Sequence, residues 1–140
     1  HGMLNNSEIL AFTNGLLHDY DVRPEDCAQH LARSLSGGNQ QKVIIAREVA
    51  NEPGRLIAVQ PTRGLDVGAI EYVHKTLIAE RDKGRAILLI SLELDEVMNV
   101  SDTIAVLYNG SIADTFKQGE VDEKTIGLLM AGGKQHAKNS

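Results

Sequence analysis

The residues best suited to do chemistry in this chain lie in one run, Leu35-Ser36-Gly37-Gly38-Asn39-Gln40-Gln41-Lys42. A Ser-Gly-Gly turn leads there into an amphipathic segment, with Val43, Ile44, Ala46, Val49 and Ala50 apolar at helical spacing. Two glycines at a helix start let backbone N–H groups come close to an anion, and the helix end adds partial positive charge. Ser36 can cap that helix or give its hydroxyl proton to a phosphate oxygen. Taken alone, a Ser-Gly-Gly turn is more often an ordinary capped helix than a site. Two further runs carry polar groups directly after apolar stretches. Gln60-Pro61-Thr62-Arg63-Gly64-Leu65-Asp66 follows Leu56-Ile57-Ala58-Val59, and Leu92-Glu93-Leu94-Asp95-Glu96-Val97 follows Ala86-Ile87-Leu88-Leu89-Ile90-Ser91.

The elements that must position these groups are legible from periodicity and breakers. Both apolar stretches have the length and composition of strands buried on both faces of a parallel sheet. Residues 5 to 19, with Ile9, Leu10, Phe12, Leu16 and Leu17, read as an amphipathic helix started by Asn6 or Ser7 and broken by Asp21-Val22-Arg23-Pro24. A short helix through Ala28 and Leu31 follows. Further helices run from about Asn39 to Asn51, stopped by Pro53-Gly54, and from Ala69 to Lys83, ended by Gly84. A last helix covers Asp122 to Met130, with Ile126, Leu129 and Met130 on one face. Thr103 to Tyr108 and Ser111 to Phe116, parted by Asn109-Gly110, read as a β-hairpin. Strands alternating with helices imply an α/β fold with a largely parallel sheet.

Composition narrows the function. The chain has 140 residues, enough for one compact domain. Acidic residues exceed basic ones by 19 to 14, which weighs against a nucleic-acid surface. No apolar run approaches membrane-spanning length, so any membrane association comes through a partner. Cys27 stands alone, and His1, His18, His30, His74 and His136 share no ligand spacing, so no metal site is expected.

The eight-residue string Leu35 to Lys42 resembles the signature of ABC ATPases, in the form found in carbohydrate-type importers. Gln60 to Asp66 resembles the end of a Walker B strand leading into the D-loop, and Leu92 onward stands where the family has its switch-histidine loop. The elements occur in the family's order over roughly residues 24 to 131. No G-x-x-x-x-G-K-[ST] occurs, so the phosphate-cradling loop and its lysine are missing. The chain thus resembles the C-terminal portion of a P-loop NTPase (ABC ATPase) core. Residues 1–3 read as a tag remnant, 4–38 as the end of the helical subdomain with the signature loop, 39–131 as the core, and 132–140 as a tail.

The resemblance implies an ATP-binding subunit of an importer for a simple sugar or nucleoside, hydrolysing ATP with Mg in the full-length protein. No nucleotide is expected on this chain alone. In the family two ATPase halves pair head to tail, so Ser36, Gly37, Gly38, Asn39 and Gln40 would serve nucleotide held by the opposite half, with Asp66 of the D-loop crossing the same interface. The chain's own site looks degenerate. Aligned on Pro61-Thr62, Val59 takes the place of the metal-supporting Asp and Gln60 that of the catalytic Glu, while Leu92 replaces the switch histidine. Glutamine can hydrogen-bond a water but cannot accept its proton at neutral pH. Glu93 lies one place past the histidine position as a weaker substitute base. This pattern resembles the second half of importers with two fused ATPase domains, leaning to the nucleoside branch.

The implied partners are a second ATPase half and transmembrane permease subunits, on the cytoplasmic face of the membrane. A soluble ABC ATPase acting on nucleic acid and a non-enzymatic interaction module are the competing readings. In the family's core the Walker A strand lies between the strands matching Ala86–Ser91 and Thr103–Tyr108. Its absence is expected to force a rearrangement or a homodimer, since open strand edges are adhesive.

Overall fold

The computed structural model describes residues 4–133, which form two compact units, one ending at Leu88 and the other beginning at Leu89. In the first unit, α1 (Asn6–Asp19) is capped by Asn5, whose Oδ1 accepts from the N–H groups of Ser7 and Glu8. The cap therefore lies one residue before the Asn6 or Ser7 expected. The stretch through Ala28 and Leu31 forms two single 3₁₀ turns, Cys27–Gln29 and Ala32–Ser34, rather than one short helix. Leu17, Val22 and Cys27 are buried together there, with Tyr20, Ala28, Leu35 and Val43 packed around them.

Helix α2 (Gly37–Ala50) follows with Ser36 as its cap, so it starts two residues earlier than its apolar pattern marks. Strand β1 (Arg55–Val59), helix α3 (Val67–Asp82) and strand β2 (Ala86–Ile90) make a β-α-β unit whose two strands pair in parallel. Asp66 caps α3, and Gly84, at φ +88, closes its C-terminal end. The unit is held from within by Glu80, only 2% exposed, which pairs through Oε2 with Arg85 and through Oε1 with Lys83 Nζ at 2.8 Å. Arg85 also reaches the Val49 carbonyl, tying the end of α3 to the end of α2.

The strands differ from expectation in one respect. They alternate between half-buried and exposed positions, leaving Ile57, Val59, Leu88 and Ile90 at 66, 61, 55 and 42% exposure. A continuous apolar run encodes cover on both faces, and the described residues supply it on one.

The second unit holds α4 (Leu94–Val100), the antiparallel pair β3 (Thr103–Tyr108) and β4 (Ser111–Lys117), and α5 (Glu123–Met130). Asn109 and Gly110 take φ +47 and +78, the pair of positive values that a two-residue hairpin turn requires. Ile104, Val106, Ile126 and Leu129 form its core, with Leu94, Val97, Met98, Phe116 and Val121 around them. Gly132 and Gly133, read from sequence as part of a tail, instead close α5 by donating to the carbonyls of Leu129 and Leu128. Gly132 has φ +85, and a Cβ there would lie 2.5 Å from Tyr108 Cζ, so only glycine fits. Residues 1–3, read as a tag remnant, and the part of the expected tail from residue 134 onward lie outside the described residues.

Among the described residues the four strands form two separate ladders, β1 with β2 and β3 with β4. Asn6–Asp19 and the other helices are also too short to cross a membrane: no described helix is long and apolar enough.

Candidate functional site

The signature run and the start of α3 come together because two helix N-termini lie side by side. Neither Gly37 nor Gly38 has a positive φ, so backbone freedom does not explain them. Space does at Gly38: a Cβ there would stand 3.0 Å from Ala69 Cβ, whereas at Gly37 the nearest atom would be Leu65 Cδ2 at 3.9 Å. Gly38 thus lets the first turn of α2 rest on the first turn of α3. Asp66 belongs to the same cluster. Its Oδ1 accepts from the Ala69 N–H at 2.9 Å, capping α3, and its Oδ2 faces Gly38.

Ser36 caps α2 in turn. Its Oγ accepts from the Asn39 N–H at 3.3 Å and from Asn39 Nδ2 at 3.0 Å. Asn39 and Gln40 make further bonds within the chain. Asn39 Oδ1 accepts the Arg23 N–H at 2.8 Å, and Gln40 Nε2 donates to the Leu35 carbonyl at 2.8 Å. Both side chains, read from sequence as nucleotide contacts, also bond within the chain.

Lys42 completes the arrangement. Its Nζ donates to the Asp21 carbonyl at 2.8 Å and to Asp21 Oδ2 at 3.0 Å, and sits 4.7 Å from the centre of the Tyr72 ring, close enough for cation–π attraction. Asp21 occupies a positive φ of +48 and also accepts from Arg23 Nε. The hydrogen bond from Lys42, then that from Arg23, holds the Asp21 carboxyl below its ordinary value. Asn39 and Lys42 on α2 therefore clamp the 21–23 turn that ends α1. Sequence reasoning missed Asp21, Arg23 and Tyr72. The only signal was the helix-breaking Asp21-Val22-Arg23-Pro24, which marks a turn without showing what holds it.

The other predicted positions stand on other elements. Val59 ends β1 on its exposed face, and its hydrocarbon side chain offers no oxygen to a magnesium ion. Gln60 follows at φ +49, its carbonyl accepting the Arg63 N–H at 3.2 Å. No group of three His, Cys, Asp or Glu side chains among the described residues is placed to hold a metal. In the second unit, Ser91 Oγ accepts from the Glu93 N–H at 3.0 Å, Leu92 is 70% exposed, and Asp95 and Glu96 lie in the first turn of α4.

No family model matches the chain. It is 54% identical over 134 residues to the Guanosine import ATP-binding protein NupO of Bacillus subtilis, covering 96% of this chain and 26% of that protein. It is 50% identical over 133 residues to the Nucleoside import ATP-binding protein NupA of Lactococcus lactis subsp. cremoris, covering 95% of this chain and 26% of that protein. The chain thus spans about a quarter of the length of these curated relatives. Among solved structures it resembles a dimeric ATP-binding cassette in a post-hydrolysis state bound to ADP and Pi, with TM-score 0.67 and 25% identity over 86% of this chain and 52% of that one. The β-α-β unit and late hairpin thus match the P-loop NTPase core of ABC ATPase cassettes, and the chain belongs to the ABC ATPase family, aligning with one part of proteins named as nucleoside import ATP-binding proteins.

Proposed function

We propose that the protein containing this chain couples ATP binding and hydrolysis to the import of a nucleoside or a simple sugar, and that this segment supplies the signature to nucleotide held by an opposite ATPase half. The observation that carries this reading is Ser36. It caps a 14-residue helix whose N-terminus carries partial positive charge, and it lies beside the Asp66 turn through the Gly38–Ala69 contact. A serine hydroxyl, free N–H groups and a helix N-terminus suit a phosphate oxygen. Ser36, Gly37 and Gly38 would contact it, while Asn39, Gln40 and Asp66 support them from within.

The chain's own hydrolytic site is the degenerate one. Val59 gives no metal ligand, Gln60 no general base, and Leu92 no imidazole. The partners on this reading are a second ATPase half and transmembrane permease subunits, with the protein peripheral on the cytoplasmic face. The names of two relatives, at 54 and 50% identity, favour nucleosides over sugars as cargo. Uptake of radiolabelled guanosine and ribose by cells with and without the intact gene tests this. The reading expects guanosine uptake to fall on deletion and ribose uptake to persist; unchanged uptake of both would contradict it.

A further inference from the structure

We infer that Asn39 is a positioning residue that acts through Ser36, by filling the acceptor side of its hydroxyl so that the proton points to nucleotide phosphate. The inference rests on the proposed role of Ser36 and adds to it the device that orients the group.

A serine hydroxyl has one proton to donate and two lone pairs to accept with. Both acceptor positions of Ser36 Oγ are taken from the same side, by the Asn39 backbone N–H and by Asn39 Nδ2. What remains is donation, directed away from Asn39. The carboxamide could meet Ser36 with its oxygen instead, which would draw the hydroxyl proton inward. It is prevented from turning over by the Arg23 N–H, which needs an acceptor and finds Oδ1 at 2.8 Å. A backbone donor thus fixes the carboxamide's sense, which geometry at the carboxamide alone does not. Arg23 in turn sits in the turn that Lys42 grips through Asp21. The chain of constraint runs from the 21–23 turn through Asn39 to Ser36, and no part of it requires Asn39 to touch nucleotide.

Steady-state ATPase measurements on the full-length protein test this through a double-mutant cycle. Asn39→Ala is expected to lower kcat about tenfold with KM for ATP within about twofold of wild type, because the bond serves a contact made when the signature closes on nucleotide. Placed on Ser36→Ala, it should lower kcat by less than about twofold more, since residues acting as one unit are not additive. Losses that multiply in the double variant would overturn the inference, as would full activity of Asn39→Ala. Asn39→Asp provides the second control: it keeps an acceptor for the Arg23 N–H and the side chain's shape but cannot donate to Ser36. Its kcat should fall at least as far as that of Asn39→Ala; rescue by Asp would show that Asn39 serves only to hold the turn. Wild-type turnover in Ser36→Ala alone would instead refute the proposed role of Ser36, and the inference with it.

Discussion

Gly38→Ala isolates the contact that brings the signature to the Asp66 turn. The new Cβ would stand 3.0 Å from Ala69 Cβ, against about 3.5–4.0 Å for an unstrained carbon pair. Ala69 is 8% exposed and has no rotamer with which to yield, so the first turns of α2 and α3 must separate by several tenths of an ångström. Overpacking of this kind costs about 1–3 kcal/mol, and the better helix propensity of alanine returns at most about 1 kcal/mol. A net loss of about 1 kcal/mol is expected, a fall in Tm of about 4 °C for a chain of this size. Gly37→Ala is the internal control, because its Cβ would meet Leu65 Cδ2 at an ordinary 3.9 Å. It should be neutral or stabilising by up to about 1 kcal/mol. Adding Ala69→Gly to Gly38→Ala should recover part of the loss by restoring the space. Thermal melts followed by far-UV circular dichroism read all four proteins, and equal stability of the Gly38 and Gly37 variants would refute the packing argument.

Other parts of the account make separate predictions. Arg85→Ala removes the buried partner of Glu80 and leaves it the exposed Lys83, so it should cost about 2 kcal/mol in urea unfolding, less than an uncompensated buried charge would; a loss under about 1 kcal/mol would show the Arg85 pair to be dispensable. The Asp21 carboxyl lies below its ordinary value of 3.8 through Lys42 and Arg23. Its stabilisation is present above that pH and is lost as pH falls through the folded value. Asp21→Asn should therefore show a shallower decline of Tm on acidification toward about pH 3 than wild type, and parallel curves would contradict the assignment. The 140-residue chain alone carries no phosphate-cradling loop, so calorimetric titration with Mg-ATP should give no binding heat beyond dilution. Micromolar affinity would mean that the signature residues hold nucleotide unaided.

Short-range signals made the helices, the hairpin and the signature readable. The Asn109-Gly110 turn demands positive φ at both residues, and Asp66, Asp122 and Ser36 are all capping types immediately before helical periodicity. The covering of β1 and β2 was misread because an apolar run reports the burial a strand is built for, and the described residues bury only one face. The intrachain bonds of Asn39 and Gln40 were not legible either. Each is polar at a position where the family resemblance suggests ligand contact, and only the folded turn at 21–23 shows what Asn39 meets. Gly38 illustrates the same boundary. Its presence suggested an anion-binding turn, but its closest constraint is a methyl group on the neighbouring helix, 31 positions away in sequence.

The central claim is that this segment gives an intact signature to an opposite site while its own hydrolytic positions are degenerate. ATP turnover by the full-length protein, compared between Ser36→Arg and Gln60→Ala, tests it most directly. Arginine at position 36 replaces the hydroxyl at the N-terminus of α2 with a long side chain and should abolish turnover. Alanine at position 60 removes a carboxamide that cannot act as a base and should cost far less. Equal losses from the two substitutions, or a greater loss from Gln60→Ala, would contradict the claim.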